Sequence, residues 1–125
     1  MKVAFFDSKS YDEESFNQIN SNYGFDIRYY QEHLNIKTAP LAKGADVVCI
    51  FVNAECNAEV IDELVKNGVK LIALRCAGFN NVDLKAAKGR ISVVRVPAYS
   101  PHAVAEYAVS LMLALNRKML LSLLF

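Results

Sequence analysis

Asp46-Val47-Val48-Cys49-Ile50-Phe51-Val52 is the stretch whose reading decides the fold. Six apolar side chains follow the aspartate without a polar interruption. A strand with one face in water alternates apolar and polar residues, whereas a parallel strand buried on both faces reads as a continuous apolar run. The stretch is therefore predicted as the central strand of a sheet covered on both sides. Pro40 and Gly44 mark a turn just before it.

Toward the carboxyl terminus the pattern becomes strand and helix in alternation. Asn57 is placed to cap a helix over 58–67, with Ile61, Leu64 and Val65 on one face; Gly68 ends it and a strand over 70–74 follows. Asp83 can cap a short helix to Lys88, Gly89 ends it, and a fifth strand runs over 91–94. A loop holding Pro97 and Pro101 then leads into a last helix near His102. Toward the amino terminus, residues 25–30 read as an aromatic-rich strand and Gly24 as a helix stop. Residues 11–23 carry Phe16 and Ile19 at helical spacing, and residues 2–6 form a first strand ending at Asp7. Five strands joined by helical crossovers specify a single-domain α/β fold, an open parallel sheet with helices on both faces. The expected strand order is flavodoxin-like, 2-1-3-4-5. No repeat, low-complexity segment or linker divides the chain.

Composition narrows the function classes. At 125 residues and 54% apolar content the chain suits one buried core. Its 14 basic and 13 acidic residues nearly cancel and form no long run, so no nucleic-acid partner is expected. Cys49, Cys56 and Cys76 are an odd number with no C-x-x-C pair and no histidine at metal-ligand spacing. That favours free thiols, no metal and a cytoplasmic location. The apolar start is too short for a secretion signal. Residues 103–115 and 119–125 are apolar, but Glu106 and the Asn116-Arg117-Lys118 cluster interrupt them. Neither half reaches the roughly 20 residues a membrane span needs, and a central charge costs roughly 2.5–3.5 kcal/mol. No membrane partner is expected.

Ligands of such sheets bind beyond the carboxyl ends of the strands, in the loops after Phe6, Val52, Leu74 and Val94. Gly24, Gly44, Gly68, Gly78 and Gly89 lie too far apart for a G-x-G-x-x-G dinucleotide cradle. The segment Asp7-Ser8-Lys9-Ser10 has no glycine to wrap a flavin phosphate. A phosphoacceptor receiver domain would need a carboxylate after the third strand and a lysine after the fifth; Val52-Asn53 and Val94-Arg95 stand there. Two loops remain. In Leu74-Arg75-Cys76-Ala77-Gly78-Phe79-Asn80-Asn81-Val82-Asp83, small Ala77 and Gly78 let backbone amides turn toward a bound carboxylate. In Val96-Pro97-Ala98-Tyr99-Ser100-Pro101, Tyr99 lies between two prolines, which can aim its hydroxyl at the same anion. Spacing alone favours the plainer readings, Gly78 as a tight turn and Tyr99 as a packed ring with its hydroxyl in water.

These two loops, with Met1-Lys2-Val3-Ala4-Phe5-Phe6-Asp7 and Ala103-Val104-Ala105-Glu106-Tyr107-Ala108, resemble the D-isomer-specific 2-hydroxyacid dehydrogenases, within them the D-lactate dehydrogenase branch. The resemblance runs to about Lys118. It implies an NAD-dependent oxidoreductase for the parent enzyme, with small 2-keto or 2-hydroxy carboxylates of the pyruvate and D-lactate class as substrates. Amides at Ala77 and Gly78 would hold the substrate carboxylate, with Tyr99 assisting.

The family's glycine-rich cofactor loop, substrate arginine and His-Glu proton-transfer pair have no counterpart in this sequence. The expectation is thus a substrate-binding domain over 1–118 and an atypical apolar tail over 119–125, without tight NAD binding and without turnover on its own. A frameshifted or truncated gene, or a deliberate cut, would produce such an end. Arg75 and His102 are given no catalytic role: Arg75 is expected to make structural ion pairs or hydrogen bonds, His102 to lie on the surface, Cys76 to be an inert residue near the pocket. The alternative is a non-catalytic interaction module that self-associates through an uncovered face.

Overall fold

A computed structural model describes residues 1–116. Five parallel strands, β1 (Lys2–Phe5), β2 (Asp26–Tyr29), β3 (Val47–Ile50), β4 (Leu71–Leu74) and β5 (Ser92–Val94), form one sheet in the order β2-β1-β3-β4-β5. The connections contain α1 (Ser10–Asn20), a 3-10 turn (Ala39–Ala42), α2 (Ala58–Lys66) and α3 (Leu84–Ala87), and α4 (Pro101–Asn116) follows β5. The expected α/β class and 2-1-3-4-5 order are both present. The tail over 119–125 and the stretch from Arg117 lie outside the described residues.

Register explains the two cores. Val3, Val47 and Leu71 stand side by side across β1, β3 and β4, as do Ala4, Val48 and Ile72. Since side chains alternate along a strand, each row faces one side of the sheet. The side of Ala4, Val48, Ile50, Ile72 and Leu74 packs against Val60, Ile61 and Leu64 of α2 and Ala87 of α3. Its other side, with Val3, Phe5, Val47 and Cys49, is covered more thinly. There α1 contributes Phe16, edge-on to Phe5 at 4.7 Å between ring centroids, yet α1 has no buried residue. An apolar cavity of about 290 Å³ remains between α1 and this face.

The apolar run that identifies β3 overshoots the strand. Val47 to Ile50 are buried, but Phe51 and Val52 are 37% and 54% exposed. Beyond Ile50 the backbone turns, with the Ala54 N–H donating to the Phe51 carbonyl, and the Phe51 ring lies 5.2 Å from the Arg75 guanidinium. Apolarity there serves a cation-facing ring rather than the sheet.

The ends of α2 and α3 follow the sequence closely, whereas α1 stops at Asn20, three residues short of the expected end, and turns carry the chain on to Gly24, whose N–H donates to the Asn20 carbonyl. The Asn57 side chain accepts from the Val60 N–H and that of Asp83 from the Ala86 N–H, each tying down a backbone donor that its helix leaves free. The last helix starts at Pro101, one residue ahead of the expected position, because the Ser100 hydroxyl accepts from the Ala103 N–H and proline suits the first helical turn. Replacing Leu64, buried at the centre of the α2 contact, with alanine is expected to lower the unfolding free energy by about 2–5 kcal/mol. Asn57→Ala should lower it by about 1 kcal/mol. Urea denaturation of the purified chain measures both.

Candidate functional site

The carboxyl ends of β1, β3, β4 and β5 open on one edge of the sheet, and a single side chain organises it. Arg75, the residue after β4, is 12% exposed at its side chain. Its guanidinium donates to the carbonyls of Phe6 at 2.9 Å and Asp7 at 3.0 Å, lies 4.2 Å from the Phe5 ring centroid, and stands 4.0 Å from an Asp12 carboxylate oxygen. A partly buried cation needs such partners, since an unpaired one is strongly penalised. Arg75 thus has the structural bonds expected of it, and they pin the end of β1 to the start of the loop after β4.

That loop is anchored at both ends. The Arg75 N–H continues the ladder to the Ile50 carbonyl. At the far end, Cys56 pairs with Val82 in an isolated parallel bridge, and the Asn81 side chain donates to the Phe51 carbonyl at 3.1 Å. Between the anchors the carbonyls of three successive residues are all engaged. Cys76 accepts from the Val96 N–H at 3.2 Å, Ala77 from Arg95 Nη1 at 2.9 Å, and Gly78 from the Cys76 thiol at 3.3 Å. The N–H groups of Ala77 and Gly78 have no protein acceptor among the described residues. The loop thus occupies the Cys76, Ala77 and Gly78 carbonyls, while the N–H groups from Cys76 to Asn81, those of Ala77 and Gly78 among them, find no protein acceptor among the described residues, an arrangement suited to an anion.

Gly78 is exposed, and neither of the local demands for glycine applies to it. Its φ is not in the left-handed region, and a Cβ at this position would meet no heavy atom within 4 Å. Tyr99 is 71% exposed. Its loop is joined to that of Ala77 and Gly78 through Val96 and Arg95, which brings the two loops together. The tyrosine hydroxyl makes no hydrogen bond among the described residues. His102 lies exposed in the first turn of α4, in keeping with a surface position. Arg95, which bridges the loops, has no signature in the sequence beyond being a cation that follows a strand.

Asp7 sits at the end of β1 with φ of 55°, in the left-handed region that aspartate tolerates better than most side chains. Burial pushes its carboxyl pKa up, but the hydrogen bonds from Lys9 and Asn53 and the charges of Lys9 and Arg75 outweigh that, and the net shift is downward. Lys9 Nζ lies 3.1 Å and Asn53 Nδ2 3.3 Å from its oxygens. These residues line a cavity of about 540 Å³, together with Asp12, Cys49, Phe51 and Val96. The turn after β1 does not fit a dinucleotide: a carboxylate held ionised occupies the place where backbone amides would cradle a pyrophosphate.

Because Asp7 loses its proton more readily when folded, its ionised form stabilises the fold above its unfolded pKa of about 3.9, and that contribution is lost as pH falls through the lower folded value. Asn tolerates the same backbone conformation. The Asp7→Asn variant is therefore expected to lose less stability than the unsubstituted chain between about pH 5 and pH 2, as read from urea midpoints at each pH.

Burial also governs the thiols. All three cysteines are free. Cys56 is pushed up to about 12 by burial and by the nearby Asp83, and burial raises Cys49 against the opposing charge of Arg75. Cys76 is only partly buried. Iodoacetamide at neutral pH is expected to modify Cys76 first, with Cys49 and Cys56 reacting only in denaturant; peptide mass spectrometry gives the order.

Five parallel strands in the order β2-β1-β3-β4-β5, with loops open along their carboxyl edge, define an α/β domain of the flavodoxin-like class. The model of the D-isomer specific 2-hydroxyacid dehydrogenase catalytic domain matches residues 3–121, and the chain belongs to that family. It is 59% identical over 119 residues to 2-hydroxyacid dehydrogenase homolog 1 of Schizosaccharomyces pombe, covering 94% of this chain and 36% of that protein. The apo-structure of Escherichia coli D-lactate dehydrogenase superposes with a TM-score of 0.89 at 50% identity, over 98% of this chain and 40% of that one. The NAD-complexed form of a D-isomer specific 2-hydroxyacid dehydrogenase from Lactobacillus delbrueckii ssp. bulgaricus aligns at 28% identity and TM-score 0.75, over 95% of this chain and 37% of that chain. This chain therefore spans about a third of the length of the curated relatives it matches. Among the described residues, no helix is long and apolar enough to cross a membrane, and no group of histidine, cysteine and acidic residues forms a metal site.

Proposed function

We propose that residues 1–118 form the substrate-binding half of an NAD-dependent D-2-hydroxyacid dehydrogenase of the D-lactate dehydrogenase type, with Ala77, Gly78 and Tyr99 as its substrate-binding residues. The observation that carries this reading is that the Ala77 and Gly78 N–H groups stand open where the Cys76, Ala77 and Gly78 carbonyls are all engaged, so this turn of the loop offers donors rather than acceptors. A carboxylate offers two oxygens and requires two donors; a pair of adjacent amides supplies them at no conformational cost to a side chain. Tyr99 lies on the joined loop, and its hydroxyl is free to approach the same anion. The substrate is a small 2-keto or 2-hydroxy acid of the pyruvate and D-lactate class. Holding its carboxylate orients C2 toward a hydride donor bound by other parts of such an enzyme, and orientation of this kind lowers a barrier only when both reactants are held.

In this reading the chain by itself binds the carboxylate weakly, does not hold NAD tightly, and does not turn over. Three free thiols suit a reducing, cytoplasmic setting. The NMR spectrum of the 15N-labelled 125-residue chain tests the binding role. Titration with pyruvate is expected to shift the Ala77 and Gly78 amide resonances, with a dissociation constant on the order of 1 mM; a response elsewhere with these two unmoved would refute it. Oxidation of NADH with pyruvate by the chain alone would refute the expected inactivity.

A second reading is favoured by α4, none of whose residues is buried and which exposes Val104, Tyr107, Leu111 and Met112. So apolar a helix is an interaction surface. In this reading the domain is a non-catalytic module that self-associates through its uncovered faces, and a strictly monomeric light-scattering profile at high concentration counts against it.

A further inference from the structure

One further side chain ties the loop of Ala77 and Gly78 to that of Tyr99 and has had no role so far. From the end of β5, Arg95 Nη1 donates to the Ala77 carbonyl at 2.9 Å and to the Pro97 carbonyl at 3.2 Å. One cationic nitrogen thus joins the loop that carries Gly78 to the loop that carries Tyr99. Its guanidinium carbon lies 5.1 Å from the centroid of the Phe79 ring, on the same loop as Ala77. No carboxylate pairs with it among the described residues.

We propose that Arg95 is a positioning residue that sets the plane of the Ala77–Gly78 peptide, directing the Gly78 N–H outward as an anion donor and holding the Tyr99 loop beside it. The physical basis is the planarity of the trans peptide, in which the carbonyl of one residue and the N–H of the next point in opposite directions. Fixing the Ala77 oxygen therefore fixes the direction of the Gly78 N–H. A glycine at 78 makes such a restraint necessary, because it does little to limit its own backbone. A bond from a charged donor is stronger than one from a neutral donor, and it polarises the peptide so that the opposite N–H becomes a better donor. The bonds to the carbonyls on either side of Ala77 lack a charged donor: the Val96 N–H to Cys76, and the Cys76 thiol to Gly78. The unpaired charge of Arg95 also raises the potential at the loop, which favours an arriving carboxylate.

That an organic carboxylate is the anion rests on the function proposed above; the orientation of the peptide does not. The test separates the two. Backbone N–H residual dipolar couplings are measured on the 125-residue chain in weak alignment without ligand, for the unsubstituted chain, Arg95→Met and Arg95→Lys. Methionine keeps an apolar stem against Phe79 but removes the donors, and lysine keeps one cationic donor. The couplings of Gly78 are expected to fit the rigid sheet in the unsubstituted chain, to depart from it in Arg95→Met, and to return toward it in Arg95→Lys, while β1, β3 and β4 stay unchanged as a control for folding. Gly78 couplings unaltered by Arg95→Met, or disturbed equally in both variants, overturn the proposal. Pyruvate is then titrated into each. A chain whose Gly78 amide responds to pyruvate should bind it roughly tenfold more weakly as Arg95→Met, and undiminished affinity in that variant overturns the link from positioning to binding. If the unsubstituted chain shows no pyruvate response, the substrate assignment falls, while the couplings alone decide the role of Arg95.

Discussion

The two bonds from the Arg75 guanidinium to the carbonyls of Phe6 and Asp7 hold the carboxyl edge of the sheet together. Two parallel strands, β1 and β4, end on either side of β3, and each would otherwise leave polar backbone at the margin of an apolar core. Arg75 meets both needs, since it continues β4 through its own N–H to Ile50 and closes β1 through its side chain. Its charge lies over the rings of Phe5 and Phe51 and is faced by Asp12. The loop that presents Ala77 and Gly78 begins at the very next residue, so the site inherits its position from this contact.

A division of labour follows along that edge. On the β1 side the functional groups are occupied with one another: Asp7 is held by Lys9 and Asn53, in a backbone conformation that few residues accept. On the β4 and β5 side the carbonyls are engaged and the amides are open. One end of the edge thus offers unengaged backbone donors, and the other holds an ionised carboxylate already satisfied by its neighbours.

The two faces of the sheet are likewise unequal. The α2 side packs aliphatic side chains to complete burial, while the α1 side leaves a cavity along Val3, Phe5 and Val47 and a helix without one buried residue. With no residue of α4 buried either, the described residues present more apolar surface than their own packing covers. That accords with a chain spanning about a third of its relatives.

Much of this was legible in the amino-acid sequence because it depends on neighbours in the chain. The unbroken run at Val47 to Ile50 reports burial on two faces, Asn57 and Asp83 report helix starts, and Gly68 and Gly89 report helix ends, where both adopt positive φ. Apolar character alone did not show where β3 ends, since Phe51 is as hydrophobic as its predecessors yet lies against a cation. The residue types at Ala77, Gly78 and Tyr99 marked two loops of interest. Their conformation was not readable, because it is set by Arg75, Val96 and Arg95 through contacts between segments up to 69 positions apart. The sequence by itself determined the order of strands and helices and the residues that begin and end them, through local periodicity and capping. Only the tertiary structure decided which carbonyls are occupied and which amides stay open, because hydrogen bonds between loops depend on how the whole sheet brings them together.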